Sequence, residues 1–129
     1  MGTANQREPR IYPMRIFVED SFDSAHWLPN VPVGHKCGQL HGHTYRIRLE
    51  FSGDVDPVMG WVIDYSEIKT LWGRVKSLLD HKCLNDILSN PTCENIALFV
   101  KGNIGDTYAG LSRIEIRETE RCGVVLDCK

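Results

Sequence analysis

His41 and His43 stand two residues apart in Cys37-Gly38-Gln39-Leu40-His41-Gly42-His43. On an extended strand such a pair leaves one face, with Cα atoms about 6.6 Å apart from a rise of about 3.3 Å per residue. From there two imidazoles can converge on one ion at metal–nitrogen distances of about 2.0–2.1 Å. Gly42 sends no side chain to the other face. A third histidine, His26, ends an earlier apolar series, and neighbouring strands lie about 4.8 Å apart. Three neutral imidazoles with a fourth position open form a catalytic zinc arrangement, whereas structural zinc sites fill all four positions with protein ligands. The competing use of an H-x-H pair is two hydrogen-bonded core histidines.

Four further residues widen the chemistry. Cys37 precedes His41 by four residues. It either closes a Cys/His₃ zinc shell or stands off the metal as a base or nucleophile whose pKa a nearby cation lowers. Asp80-His81 sets a carboxylate beside an imidazole, either a proton-transfer pair or a helix end whose histidine favours the dipole. Glu118 shares the parity of Ile114 and Ile116, so its carboxylate points to the apolar side. There a planar donor fork on a ligand would satisfy both oxygens; the alternative is a strand-end glutamate reaching solvent. Thr92 precedes an apolar helical run and suits an N-cap. His35 is a spare imidazole in a loop.

These residues need elements to hold them. Met14 to His26 reads as a strand, with Ile16, Val18, Phe22 and His26 at one parity and Asp20 interrupting the apolar series. His41 to Phe51 alternates cleanly, Tyr45, Ile47, Leu49 and Phe51 against Arg46, Arg48 and Glu50, so one face is buried and one is wet. Both histidines of the pair share the buried face. Asp64 with Glu67 suggests a capping box, followed by Ile68, Leu71, Trp72, Val75, Leu78 and Leu79 at helical spacing. A second helix starts at Pro91-Thr92 and runs to about Ile104, with Gly105 as its stop. Ser112 to Thr119 alternates again, and Val124 to Leu126 forms a last short strand. The order β-β-α-α-β-β gives an α+β domain: an antiparallel four-stranded sheet with two helices on one face.

Composition bounds the rest. The chain has 129 residues, a length for one domain over 13–129 after a flexible segment over 1–12. Lys and Arg number 15 against 17 Asp and Glu, giving a formal charge of −2, which argues against a nucleic-acid partner. No apolar stretch is long enough to span a bilayer and the first ten residues lack a secretory core, so the expectation is a cytoplasmic protein with no membrane partner. The five cysteines are odd in number and include no C-x-x-C pair, as in a reducing compartment.

Taken in order, six segments resemble the 6-pyruvoyl-tetrahydropterin synthase superfamily over about Met14 to Val125. They are Phe22-Asp23-Ser24-Ala25-His26; Gly34-His35-Lys36-Cys37 through His43; Val55-Asp56-Pro57 with Gly60-Trp61-Val62-Ile63-Asp64; Leu79-Asp80-His81 with Leu84-Asn85-Asp86; Pro91-Thr92-Cys93-Glu94-Asn95; and Glu118-Thr119. The C-x₃-H-G-H spacing resembles the 6-carboxy-tetrahydropterin synthase branch. The resemblance implies a tunnelling fold in ring-like homo-oligomers, usually hexamers of two trimers, with active sites between subunits. It implies zinc on His26, His41 and His43, Cys37 as base with Asp80 and His81 completing a proton relay, and Glu118 anchoring a pterin ring with help from Thr92. It also implies conversion of 7,8-dihydroneopterin triphosphate to 6-carboxy-5,6,7,8-tetrahydropterin, acetaldehyde and triphosphate, toward queuosine and other 7-deazaguanines. Two alternatives stay open. One is 6-pyruvoyl-tetrahydropterin synthase proper, where the cysteine lies further upstream of H-G-H. The other is a non-catalytic zinc-stabilised ligand-binding or assembly module. Cys93 departs from the pattern, since relatives commonly carry Ser or Thr there.

Overall fold

Alternation over two long segments builds the centre of the sheet. The computed structural model describes residues 13–105, 108 and 110–129, so the expected flexible segment lies outside the described residues. β1 (Met14–His26) and β2 (His41–Gly53) pair antiparallel along their whole length, from Met14 opposite Gly53 to His26 opposite His41. Val18, Phe22, Ser24 and His26 are buried on one face with Tyr45, Ile47, Leu49 and Phe51. Phe22 and Tyr45, directly opposite each other, stack with ring centroids 4.9 Å apart. Such cross-strand aromatic pairs help fix register.

α1 (Tyr65–Leu79) starts where the Asp64 carboxylate accepts the Ser66 N–H at 2.9 Å. The expected capping box is not completed, because the Glu67 carboxylate instead accepts the Tyr108 hydroxyl at 2.9 Å. Ile68, Trp72, Val75 and Leu79 form the buried stripe. Leu78, expected in that stripe, is 45% exposed, since a step of about 100° per residue carries it to the flank when Leu79 points inward. α2 (Cys93–Ile104) buries Ile96, Ala97, Val100 and Ile104 and joins the same core.

The remaining strands complete the sheet in the order β3-β1-β2-β4-β5. β4 (Leu111–Arg117) pairs antiparallel with β2, and β5 (Gly123–Asp127) with β4. Gly123 is required at the hairpin, where a Cβ would come within 2.3 Å of the Ile116 carbonyl oxygen. The sheet therefore has five strands rather than the expected four. The addition is β3 (Lys82–Cys83), parallel to β1, and two residues are too few to show a period. The chain after α1 is zipped onto β1: the Ser24 hydroxyl donates to the Leu79 carbonyl, Asp23 N–H to the Asp80 carboxylate at 2.9 Å, and His81 N–H to the Asp23 carbonyl at 2.6 Å.

The face away from the helices is charged. Glu50, expected to be wet, is only 6% exposed because Arg15 and Arg48 reach it at 3.4 and 3.0 Å. Among the described residues no helix is long and apolar enough to cross a membrane.

Asp20, which broke the apolar series, joins the layers: its carboxylate accepts from Trp72 Nε1 at 2.8 Å and Lys76 Nζ at 3.1 Å on α1. Burial alone would raise its pKa, but the Trp72 and Ser21 N–H groups and the Lys76 ammonium outweigh it and hold the carboxyl below 3.8. A folded-state pKa below the unfolded one stabilises above the unfolded value and is lost as pH falls through the folded value. Asp20→Asn should lower stability by about 1 kcal/mol at neutral pH and flatten the acid loss in denaturant midpoints measured below pH 3.8. An unchanged acid slope would contradict this anchor.

Candidate functional site

The β1–β2 ladder gathers the three histidines. His26 lies directly opposite His41, and Ser24 opposite His43. Ring centroids are 4.6 Å apart for His26 and His41, 4.9 Å for His41 and His43, and 5.2 Å for His26 and His43. One ligating atom from each lies within 4.8 Å of the other two. His26 Nδ1 meets the Pro91 carbonyl at 2.7 Å, and His41 Nδ1 meets the Gln39 carbonyl at 2.7 Å. A carbonyl only accepts, so each Nδ1 carries a proton, and Nε2 is the nitrogen of each ring left to face a metal.

His43 Nε2 is buried and has no hydrogen-bond partner. Leaving it so costs about 1–3 kcal/mol, which coordination would remove. Burial lowers the His43 pKa, the Glu118 carboxylate partly offsets this, and the two neighbouring imidazoles lower it further. The result favours the neutral ring that a metal requires. The donor set and the orphaned nitrogen therefore fit a divalent ion such as zinc.

Glu118 stands beside this group, as its parity predicts. Its Oε1 is 3.5 Å from His26 Nε2 and 3.6 Å from His43 Nε2, with the side chain 29% exposed. The strand ends just before it, and its N–H donates to the Cys122 carbonyl at 2.9 Å, so the β4–β5 hairpin fixes its backbone. Thr92 Oγ1 accepts the Asn95 N–H at 3.1 Å, the expected cap, and a hydroxyl that accepts through its oxygen still has a hydrogen to donate. Cys93 is buried with its thiol toward the Ile116 carbonyl, and burial pushes its pKa up to about 12. It remains a neutral thiol at physiological pH.

Cys37 lies in a one-turn 3-10 helix, Lys36–Gly38, half-buried and outside the three-histidine group. His35 is occupied there, its Nδ1 accepting the Cys37 N–H at 3.0 Å. Asp80 and His81 group with Asp23 instead. Asp80 Oδ2 meets His81 Nδ1 at 2.9 Å, and His81 takes a left-handed backbone with φ 55°. Hydrogen bonds from the Asp23 N–H and from His81 hold the Asp80 carboxyl below its usual range. Asp23 and Thr44 are paired residues at the parity opposite His26 and His43, so this group lies on the other face of the sheet.

Residues 15–128 match the family described as 6-pyruvoyl tetrahydropterin synthase. The chain belongs to that family. It is 38% identical over 112 residues to a Synechocystis protein named 6-carboxy-5,6,7,8-tetrahydropterin synthase, covering 81% of this chain and 85% of the relative. It is 34% identical over 116 residues to a Pyrococcus furiosus protein named dihydroneopterin monophosphate aldolase, covering 88% and 96%. A solved Caenorhabditis elegans 6-pyruvoyl tetrahydropterin synthase superposes with a TM-score of 0.85 at 24% identity, over 95% of this chain and 100% of that one. The shared architecture is the tunnelling fold of this enzyme family.

Tyr45 reads from sequence as a core residue only. Its hydroxyl, fully buried, lies 3.3 Å from both ring nitrogens of His26, and burial first, then Glu118, drives its pKa well above the ordinary value. It braces the His26 ring as a neutral phenol. Parity could reveal its face but not this contact.

Zinc at 100 times its Kd should stabilise the folded chain by about 2.7 kcal/mol, visible as a higher thermal midpoint. His43→Ala should lose most of that rise. An equal rise in both proteins would exclude His43 from the metal site.

Proposed function

We propose that the protein converts 7,8-dihydroneopterin triphosphate to 6-carboxy-5,6,7,8-tetrahydropterin, releasing acetaldehyde and triphosphate, as a zinc-dependent carbon–carbon lyase. The reading rests on one observation above the others: an orphaned buried imidazole nitrogen beside two more histidines and a partly exposed carboxylate, in a chain of the pterin synthase family. His26, His41 and His43 would hold the ion. Zinc bound there supplies a Lewis acid that makes the substrate's side-chain hydroxyls more acidic.

The chain's own groups do the remaining work. Glu118 accepts two hydrogen bonds from the amino and ring N–H edge of the pterin, a bidentate contact that sets the reacting side chain beside the histidines. Thr92 donates its remaining hydroxyl hydrogen to the ring. Cys37 stays off the metal and takes a proton as general base. Asp80 fixes the His81 ring through Nδ1 and leaves Nε2 to carry protons. Because Asp80 and His81 lie across the sheet from this chain's histidines, the relay with Cys37 is completed by a second copy, in the ring-shaped hexamer that the family likeness implies. Queuosine and 7-deazaguanine biosynthesis in the cytoplasm is the setting this product fits.

The P. furiosus relative's name favours a second reading in which the substrate is the monophosphate. Metal-loaded protein should be given each pterin phosphate and the products weighed. The expected result is 6-carboxy-tetrahydropterin with acetaldehyde from the triphosphate. Turnover of the monophosphate alone supports the second reading, and a pyruvoyl product without acetaldehyde overturns both. Cys37→Ala should keep its metal and lose about 10²–10⁴-fold in kcat; loss of the metal would instead make Cys37 a ligand.

A further inference from the structure

β1 ends at His26, and the chain must leave the sheet and return at His41 with Cys37 on the way. The backbone groups at that exit need partners. Trp27 N–H donates to Asn85 Oδ1 at 2.9 Å, and Asn85 Nδ2 donates to the Trp27 carbonyl at 2.9 Å. One carboxamide thus replaces a stretch of neighbouring strand. Its orientation follows from its partners, since reversing it would set donor against donor and oxygen against oxygen.

The next residue carries the connection to the thiol. Leu28 N–H donates to the Cys37 carbonyl at 2.8 Å, while Cys37 N–H is held by His35 Nδ1 at 3.0 Å. Cys37 therefore hangs from Leu28, and the adjoining Trp27 hangs from Asn85. Asn85 is itself rigidly based: it sits in the one-turn 3-10 helix Leu84–Asp86, where Leu84 is fully buried and its carbonyl accepts the Ile87 and Leu88 N–H groups. The following segment also reaches the metal group, through the Pro91 carbonyl on His26 Nδ1.

We propose that Asn85 is a positioning residue, a one-residue surrogate strand that fixes the Cys37 loop relative to the histidine group. This inference rests on the reading of Cys37 as the base. Asn85 touches no reacting atom and acts through Trp27 and Leu28. A displacement of about 1 Å at the thiol is enough to cost about 10²-fold in rate. Substrate affinity, set at Glu118, and metal affinity, set by the β1–β2 ladder, should change little.

The test compares metal-loaded wild type with Asn85→Ala and Asn85→Asp by hydrogen exchange, metal content and steady-state kinetics with dihydroneopterin triphosphate. In Asn85→Ala, exchange over residues 27–38 should accelerate about 10–100-fold, with β2 and α1 unchanged. Metal content should hold, and kcat should fall about 10–100-fold with KM within about threefold. Asn85→Asp keeps the acceptor for Trp27 N–H and opposes the Trp27 carbonyl, so it should fall between the two. Unchanged exchange over 27–38, or a KM increase with kcat intact, overturns the proposal. If the alanine variant unfolds, wild-type exchange in the aspartate variant does the same. The exchange arm needs no substrate, so an inactive wild type would refute the proposed function while leaving the clamp separately tested.

Discussion

The histidine group exists because two strands of thirteen residues each are locked in one register, with Met14 opposite Gly53 and His26 opposite His41. Side chains alternate with a period of two, so a slip of one residue would send His41 and His43 to the charged face and Arg46 and Arg48 into the core. The Phe22–Tyr45 stack resists that slip close to the site, and Ile47 and Leu49 add burial further along. Packing energy at a distance thereby holds three imidazoles in place, in a grouping that could hold a metal ion.

That register also sets the electrostatics. Burial disfavours charge on His43, and carbonyls from two different segments select the Nδ1–H tautomer of His26 and His41. Glu118 supplies the negative charge at the rim, where it remains partly exposed and open to a ligand. Tyr45 fills the space behind His26 without becoming ionised. The imidazoles lie inside and the carboxylate lies at the edge, an arrangement suited to a cation and a ring with an N–H edge.

The sequence disclosed what is periodic. The His41–His43 spacing, the inward parity of Glu118, the Thr92 cap and both helices follow from periods of two or 3.6 and from local hydrogen bonds. What it concealed depends on contacts between distant segments. β3 forms because Asp80 and His81 bond to Asp23, 57 and 58 residues away in the chain; only the first of these is a side-chain contact, to the Asp80 carboxylate. Glu67 prefers Tyr108 to its own helix end, and Glu50 is buried by Arg15 from the neighbouring strand. Asn85 was visible only as part of a motif, since its role depends on where residue 27 ends up. The Asp80-His81 pair was legible as a carboxylate beside an imidazole, but not its placement across the sheet from the histidines.

The central claim is three-nitrogen coordination with the Cys37 sulfur unligated, and X-ray absorption at the zinc edge of the loaded protein reads it most directly. The account predicts a nitrogen and oxygen shell at about 2.0–2.1 Å with no sulfur contribution. A sulfur shell at about 2.3 Å that disappears in Cys37→Ala would contradict it.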